Sequence, residues 1–256
     1  MNTPKDLEDE PQTLLFHLME LRAMLMRSVI VVVVLFAMLM PFGKRLFELA
    51  SAPLAEKLPT NATMIATNVI SPFLTPFKLS FFTALFLAMP YILYQVWGFV
   101  APGLYKNEKK AAIPLLISSI VLFYLGILFV YFVLFPVVFN FVVAVTPGTA
   151  VMMTDISQYL NFMLALFLVF GLAFEIPVAT VLVVWIGLTT PQALAKKRPY
   201  ILIGAFTLGM FLTPPDIISQ VMLAIPMYAL YEAGLFMSRH IGRRAEAPDA
   251  AGASMK

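Results

Sequence analysis

Cysteine is absent from the 256 residues, which excludes disulfides, thiol catalysis and cysteine-held iron–sulfur clusters. Histidine is nearly absent: His17 and His240 are the only two. His17 has Glu20 three residues on, but a metal centre takes three or four ligands, so neither a metal nor another cofactor is expected. No GxxxxGK[ST] loop occurs, so the chain should not hydrolyse a nucleotide by itself. No nucleophile–base pair or metal motif stands out, so an intramembrane enzyme finds no support. Charge is scarce as well, at 12% against roughly 25% in soluble domains.

Apolar residues take the remaining space. They make up 61% of the chain, and the mean hydropathy is +0.90. The apolar runs are helix-compatible and separated by short loops rich in Pro, Gly and charge. Six runs stand out at about 24–42, 77–100, 113–138, 160–186, 200–212 and 217–237, the better ones near the ~20 residues that cross a bilayer. The fold class expected is therefore an all-α polytopic membrane protein, with one six-helix transmembrane domain over 1–238. The fifth run is short: at ~1.5 Å per residue it covers about 20 Å of the ~30 Å of hydrocarbon. The Ala- and Gly-rich tail, 239–256, is expected to be disordered.

Orientation follows from the basic residues. With the N-terminus inside, Lys5, Arg22, Arg27, Lys106, Lys109, Lys110, Lys196, Lys197, Arg198, Arg239, Arg243, Arg244 and Lys256 fall on the inner side. Lys44, Arg45, Lys57 and Lys78 fall outside, so the positive-inside rule puts both termini in the cytoplasm. The net charge of +3 is thus a topology signal, and no nucleic-acid partner is expected. The acidic stretch from Lys5 to Pro11 replaces the basic start of a cleavable signal peptide, so the first run should remain as a helix.

Three carboxylates carry the chemical interest. In a helix starting near Thr13, Glu20 has His17, Phe16, Ala23 and Met24 on its face, so no lysine or arginine neutralises it within that helix. Glu108 follows Asn107, an N-cap type, at the start of the third run, where a carboxylate favours the helix dipole by roughly 0.3–1 kcal/mol. Capping alone could account for it, yet Phe99, Pro102, Leu104 and Tyr105 place an apolar ledge beside the acid. Glu175 lies within the fourth run, where an acid costs at least ~2.5–3.5 kcal/mol. Pro177 should kink that helix and free the carbonyl of Ala173. Glu175 must be protonated, face a wet cavity, or reach a polar side chain such as Gln95, Thr207 or Gln220. On these residues alone a six-span proton-coupled transporter of a small solute, using Glu175, is the alternative reading.

Several stretches resemble the TatC component of the twin-arginine protein translocase. They are His17–Arg22 (HLMELR), Phe99–Lys110 (FVAPGLYKNEKK), Phe174–Pro177 (FEIP), Thr213–Asp216 (TPPD) with Ser219-Gln220, and Ala224–Tyr228 (AIPMY). The likeness runs from about Leu15 to about Arg239, with Lys109, Lys110 and Gly103 as minor departures. It implies a concave, glove-like bundle in the bacterial inner membrane and a receptor for the signal peptides of folded cargo, driven by the proton-motive force. Glu20 and Glu108 would receive the arginine pair, with Arg22, Phe99, Leu104, Tyr105 and Lys106 shaping the same surface. Thr207, Met210 and Gln220 would lie where the single-span partners TatB and TatA dock, Glu175 and Gln95 would form an intramembrane polar site, and Pro53 and Asp216 would be structural on the periplasmic side. The receptor would also associate with copies of itself. The loop 43–76 looks like the family's first periplasmic loop, with Leu46, Phe47, Leu49, Leu54 and Leu58 on an amphipathic segment.

Overall fold

The computed structural model describes residues 14–57, 63–100, 109–145, 153–213 and 217–252. Their order is α1 (Leu14–Leu39), a 3-10 turn (Met40–Phe42), α2 (Gly43–Lys57), β1 (Thr63–Ile65), α3 (Ser71–Val100), α4 (Lys109–Phe129), a π-helical stretch (Val130–Leu134), α5 (Phe135–Val145), β2 (Met153–Asp155), α6 (Ile156–Ala173), α7 (Ile176–Trp185), α8 (Pro191–Lys196), α9 (Arg198–Leu212) and α10 (Ile217–Gly252).

Five helical stretches are long and apolar enough to cross a membrane, and α9 is a sixth, shorter apolar helix. Their outward surfaces are apolar: Leu25 is 60% exposed, Phe132 67% and Phe211 77%. Such surfaces need lipid around them, because water would penalise patches of this extent. The chain is thus a multi-pass membrane protein, and α9 is short, with 15 residues.

The helices alternate direction, so the connections collect at two faces. One face, here called proximal, carries the start of α1, the α3–α4 connection, the end of α7 with α8, and the start of α9. The distal face carries α2, both strands and the starts of α3, α6 and α10.

The first helix lies mainly on α3, with Phe36 edge-on to Phe81 at 6.1 Å between centroids. A central core joins Val130, Leu134, Leu166, Phe170, Ala205, Leu223 and Met227 from four segments. A distal core of Phe135, Tyr159, Leu160 and Met163 receives Phe47 and Ala50 of α2. The expected amphipathic segment is therefore a helix with Phe47 turned inward and Leu49 outward, 71% exposed. Close approach of α4 to α6 depends on Gly126, since a Cβ there would lie 2.6 Å from the carbonyl oxygen of Phe170.

Two features depart from the expectations. A parallel pairing of β1 with β2, Thr63 opposite Met153 through Ile65 opposite Asp155, ties the two distal loops together; three-residue strands are too short to leave a periodic signal. In addition, α10 continues through Gly252 where a disordered tail was expected. The Arg-Arg-Ala-Glu-Ala run after Gly242 consists of strong helix formers, which explains the helical backbone.

Candidate functional site

Glu20 and Arg22 lie exposed on α1, and half-buried Phe99 on the last turn of α3. The antiparallel register of these helices brings them to the same face. From Phe36 back to Glu20 is 16 residues and from Phe81 on to Phe99 is 18, about 24 and 27 Å at 1.5 Å per residue. The connection that follows α3, with Leu104, Tyr105, Lys106 and Glu108, lies outside the described residues, but its anchors at Val100 and Lys109 are proximal. Pro53 sits on the distal helix α2, and Asp216 lies outside the described residues.

Glu175 occupies a break in the fourth span. The helix stops at Ala173 and resumes at Ile176, because Pro177 can donate no hydrogen bond back to Ala173. Ala179 N–H closes the new turn on the Glu175 carbonyl at 2.8 Å. The side chain is half-buried and faces the Ser119 hydroxyl of α4. Ser119 is itself buried and accepts from Trp97 Nε1 of α3 at 3.3 Å. Glu175 Oε1 has no hydrogen-bond partner.

The polar partners expected for Glu175 are engaged elsewhere. Gln95 donates to Tyr91 Oη at 2.6 Å, Thr207 donates to the Ile203 carbonyl at 2.8 Å, and Gln220 packs beside Gly209. The polar group that faces it is instead Ser119, with Trp97 behind it. A serine in the apolar run Leu115–Leu122 and one of only two tryptophans were the available signals, since buried hydroxyl and indole groups need partners.

A second polar cluster joins the proximal ends of α9 and α10. Arg198 Nη2 donates to Glu232 Oε2 at 2.7 Å, and its Nε lies 2.6 Å from Oε1 without being aligned on it. Tyr228 donates to Glu232 Oε1 at 2.9 Å, and Tyr231 donates to the Leu194 carbonyl at 2.7 Å. In sequence Arg198 reads only as a topology charge, and the signal for Glu232 is an acid within an apolar helix. On the neighbouring surface of the hairpin, Thr207 and Met210 are exposed and Gln220 is half-buried.

Among the described residues no three or more His, Cys, Asp or Glu cluster as metal ligands would.

The model of the family described as Sec-independent protein translocase protein (TatC) matches residues 16–226. The chain belongs to the TatC family. It is 52% identical to the Sec-independent protein translocase protein TatC of Azotobacter chroococcum mcd 1, covering 95% of this chain and 96% of that one. It is also 52% identical to the protein of that name from Escherichia coli (strain K12), over 92% of each. Its fold matches a crystal structure described as twin arginine translocase receptor TatC, with TM-score 0.80 and 36% identity over 87% of this chain and 98% of that one. Membership favours a protein-translocation component over the solute transporter considered from Glu175 alone, and over an enzyme.

Proposed function

We propose that the chain is the signal-peptide receptor subunit of a twin-arginine translocase, set in a bacterial cytoplasmic membrane with both termini in the cytoplasm. The reading is carried by its likeness, over nearly the full length, to a protein described as the translocase receptor. The charge distribution supports the orientation, because most lysines and arginines fall on the proximal side.

On this reading Glu20 and Glu108 take the two arginines of the signal peptide. Arg22, Phe99, Leu104, Tyr105 and Lys106 shape the surface around them. A guanidinium binds a carboxylate through two parallel hydrogen bonds, whereas an ammonium is a point charge. Each pair gains about 4 kcal/mol at 4 Å with an effective dielectric near 20, and desolvation removes much of it. The apolar part of the peptide must supply the rest by lying along the bundle.

Partner docking of TatB and TatA falls to the short α9 and to α10, around Thr207, Met210 and Gln220. The exposure of Thr207 and Met210 supports this, and copies of the receptor associate in the working complex. The proton-motive force drives export, and Glu175 with its Ser119 contact is the polar position within the membrane. Pro53 and Asp216 serve the periplasmic side.

The test is signal-peptide binding to the full chain in membranes. Glu20→Gln and Glu108→Gln should each weaken binding by about tenfold, as should lysines in place of the peptide's arginines. Normal binding by both variants would end the recognition model.

A further inference from the structure

Two adjoining cavities open at the distal corner where α1 turns into α2, and neither signal-peptide recognition nor partner docking uses them. The first, of about 260 Å³, is lined by Lys44, Phe47, Glu48, Thr75 and Ser157 among others. The second, of about 280 Å³, shares Lys44, Pro72 and Pro76 with it and extends along Met40, Phe73 and Phe77.

Their level in the membrane follows from the helix ends. The 26 residues of α1 rise about 39 Å, enough to clear ~30 Å of hydrocarbon. Lys44 lies five residues beyond its end, and the other walls come from the first turns of α3 and α6. The corner therefore sits at headgroup depth, on the orientation above in the outer leaflet.

Charge and shape select an occupant. Lys44 and Glu48 stand one turn apart on α2 and are exposed, which puts their Cβ atoms about 5–6 Å apart. Among the described residues neither side chain makes a hydrogen bond or ion pair. Of the other charges near this corner, Arg45 is one position round the helix, the Lys78 ammonium donates to Asn161 Oδ1 at 3.3 Å, and the Asp155 carboxylate is taken up by the N–H groups of Thr67, Ser157 and Gln158. Thr75 is occupied with the Ser71 carbonyl and the Ser157 hydroxyl. A free cation and a free anion thus share a mouth above an apolar trough. Volumes of this size suit a headgroup and part of an acyl chain, but not a helix.

We propose that this corner binds a phospholipid whose headgroup carries both a phosphate and a primary ammonium. Lys44 takes the phosphate, Glu48 takes the ammonium, and an acyl chain lies along Met40, Phe73 and Phe77. A glycerol headgroup leaves Glu48 facing a net anion. A choline headgroup presents no N–H to the carboxylate.

The experiment is native mass spectrometry of the full chain released from mixed vesicles of ethanolamine, glycerol and choline phospholipids with identical acyl chains. The ethanolamine lipid should be retained about fivefold over each of the others, the scale of one favourable charge contact at a membrane surface. Lys44→Ala should lower the retention of all three lipids, and Glu48→Lys should turn the preference toward the glycerol lipid. Equal retention of the three lipids by the native chain, unchanged retention by Lys44→Ala, or an unchanged preference in Glu48→Lys overturns the site. Should either variant fail to fold, an ethanolamine lipid with a photoreactive acyl chain decides the matter on the native chain. Labelling of Met40, Phe73 or Phe77 supports the site, and labelling confined to other positions overturns it. These readouts are independent of signal-peptide binding, so the receptor reading and the lipid site stand or fall separately.

Discussion

Glu175 and Glu232 are both carboxylates within apolar spans, and the bundle treats them in opposite ways. Glu232 meets a guanidinium from α9 and a phenol from its own helix, so each of its oxygens has a partner. Glu175 has a serine contact and leaves Oε1 unmatched. An acid near the centre of a span, as Glu175 is, costs at least ~2.5–3.5 kcal/mol, and one toward an end, as Glu232 is, costs less. At Glu232 the cost is offset by a cation, and the result is a joint that fixes α9 against α10. At Glu175 no cation among the described residues offsets it.

The joint should give the largest effect when broken on one side. Arg198→Met leaves Glu232 facing α9 uncompensated and should lower the melting temperature, by less than the loss of one partner from a fully buried pair would, because the two side chains keep 40% and 33% exposure. Thermal unfolding in detergent measures this, and Arg198→Met with Glu232→Leu should recover most of the loss. A double variant no more stable than the single would mean that Glu232 is no joint.

Next is the contact between the helices that carry the two acids. A Cβ on Gly234 would lie 2.2 Å from Thr180 Oγ1 and 2.8 Å from Pro177 Cα, so Gly234→Ala must push α10 off α7. Overpacking of this kind costs about 1–3 kcal/mol, and the middle of that range is expected in the same unfolding assay. Glu175→Gln should do the reverse of Arg198→Met. It removes an acid that has no cation among the described residues, so stability should hold or rise, while export of a folded reporter falls by about tenfold, or ~1.4 kcal/mol. Unchanged export would place Glu175 with the structural residues.

Much of this was legible in the residues alone. Span number, the short fifth helix and the break at Pro177 follow from apolar run length and from proline's missing donor. Glu20 was legible as a proximal acid because it lies at the start of the first apolar run, on the side that gathers most lysines and arginines. The Ser119 and Trp97 contacts were not, since which polar groups meet depends on the crossing of α3, α4 and α7, and no periodicity encodes that. The same holds for Arg198 and Glu232, 34 residues apart in sequence and brought together only by the α9–α10 hairpin. The β1–β2 pairing is too short to register as a pattern and joins residues 90 apart, and the link from Thr67 to Asp155 spans 88.

Asp155 supplies a third case and the smallest expected effect. It lies outside the spans and is satisfied by donors, with no cation. Thr67 N–H reaches Oδ2 at 3.0 Å and the Thr67 hydroxyl bonds to the same oxygen, while Ser157 and Gln158 N–H reach Oδ1 at 2.8 and 3.0 Å. These donors, Thr67 foremost, hold its carboxyl down from 3.8 to about 2. A carboxyl lowered in the folded state adds stability that is fully present above its unfolded value and fades as the pH falls through its folded value. The difference in melting temperature between the native chain and Asp155→Asn should therefore be flat from neutral pH down to about 4 and then narrow toward about 2. A difference that widened on acidification would mean that the proton, not the charge, holds the two distal loops together.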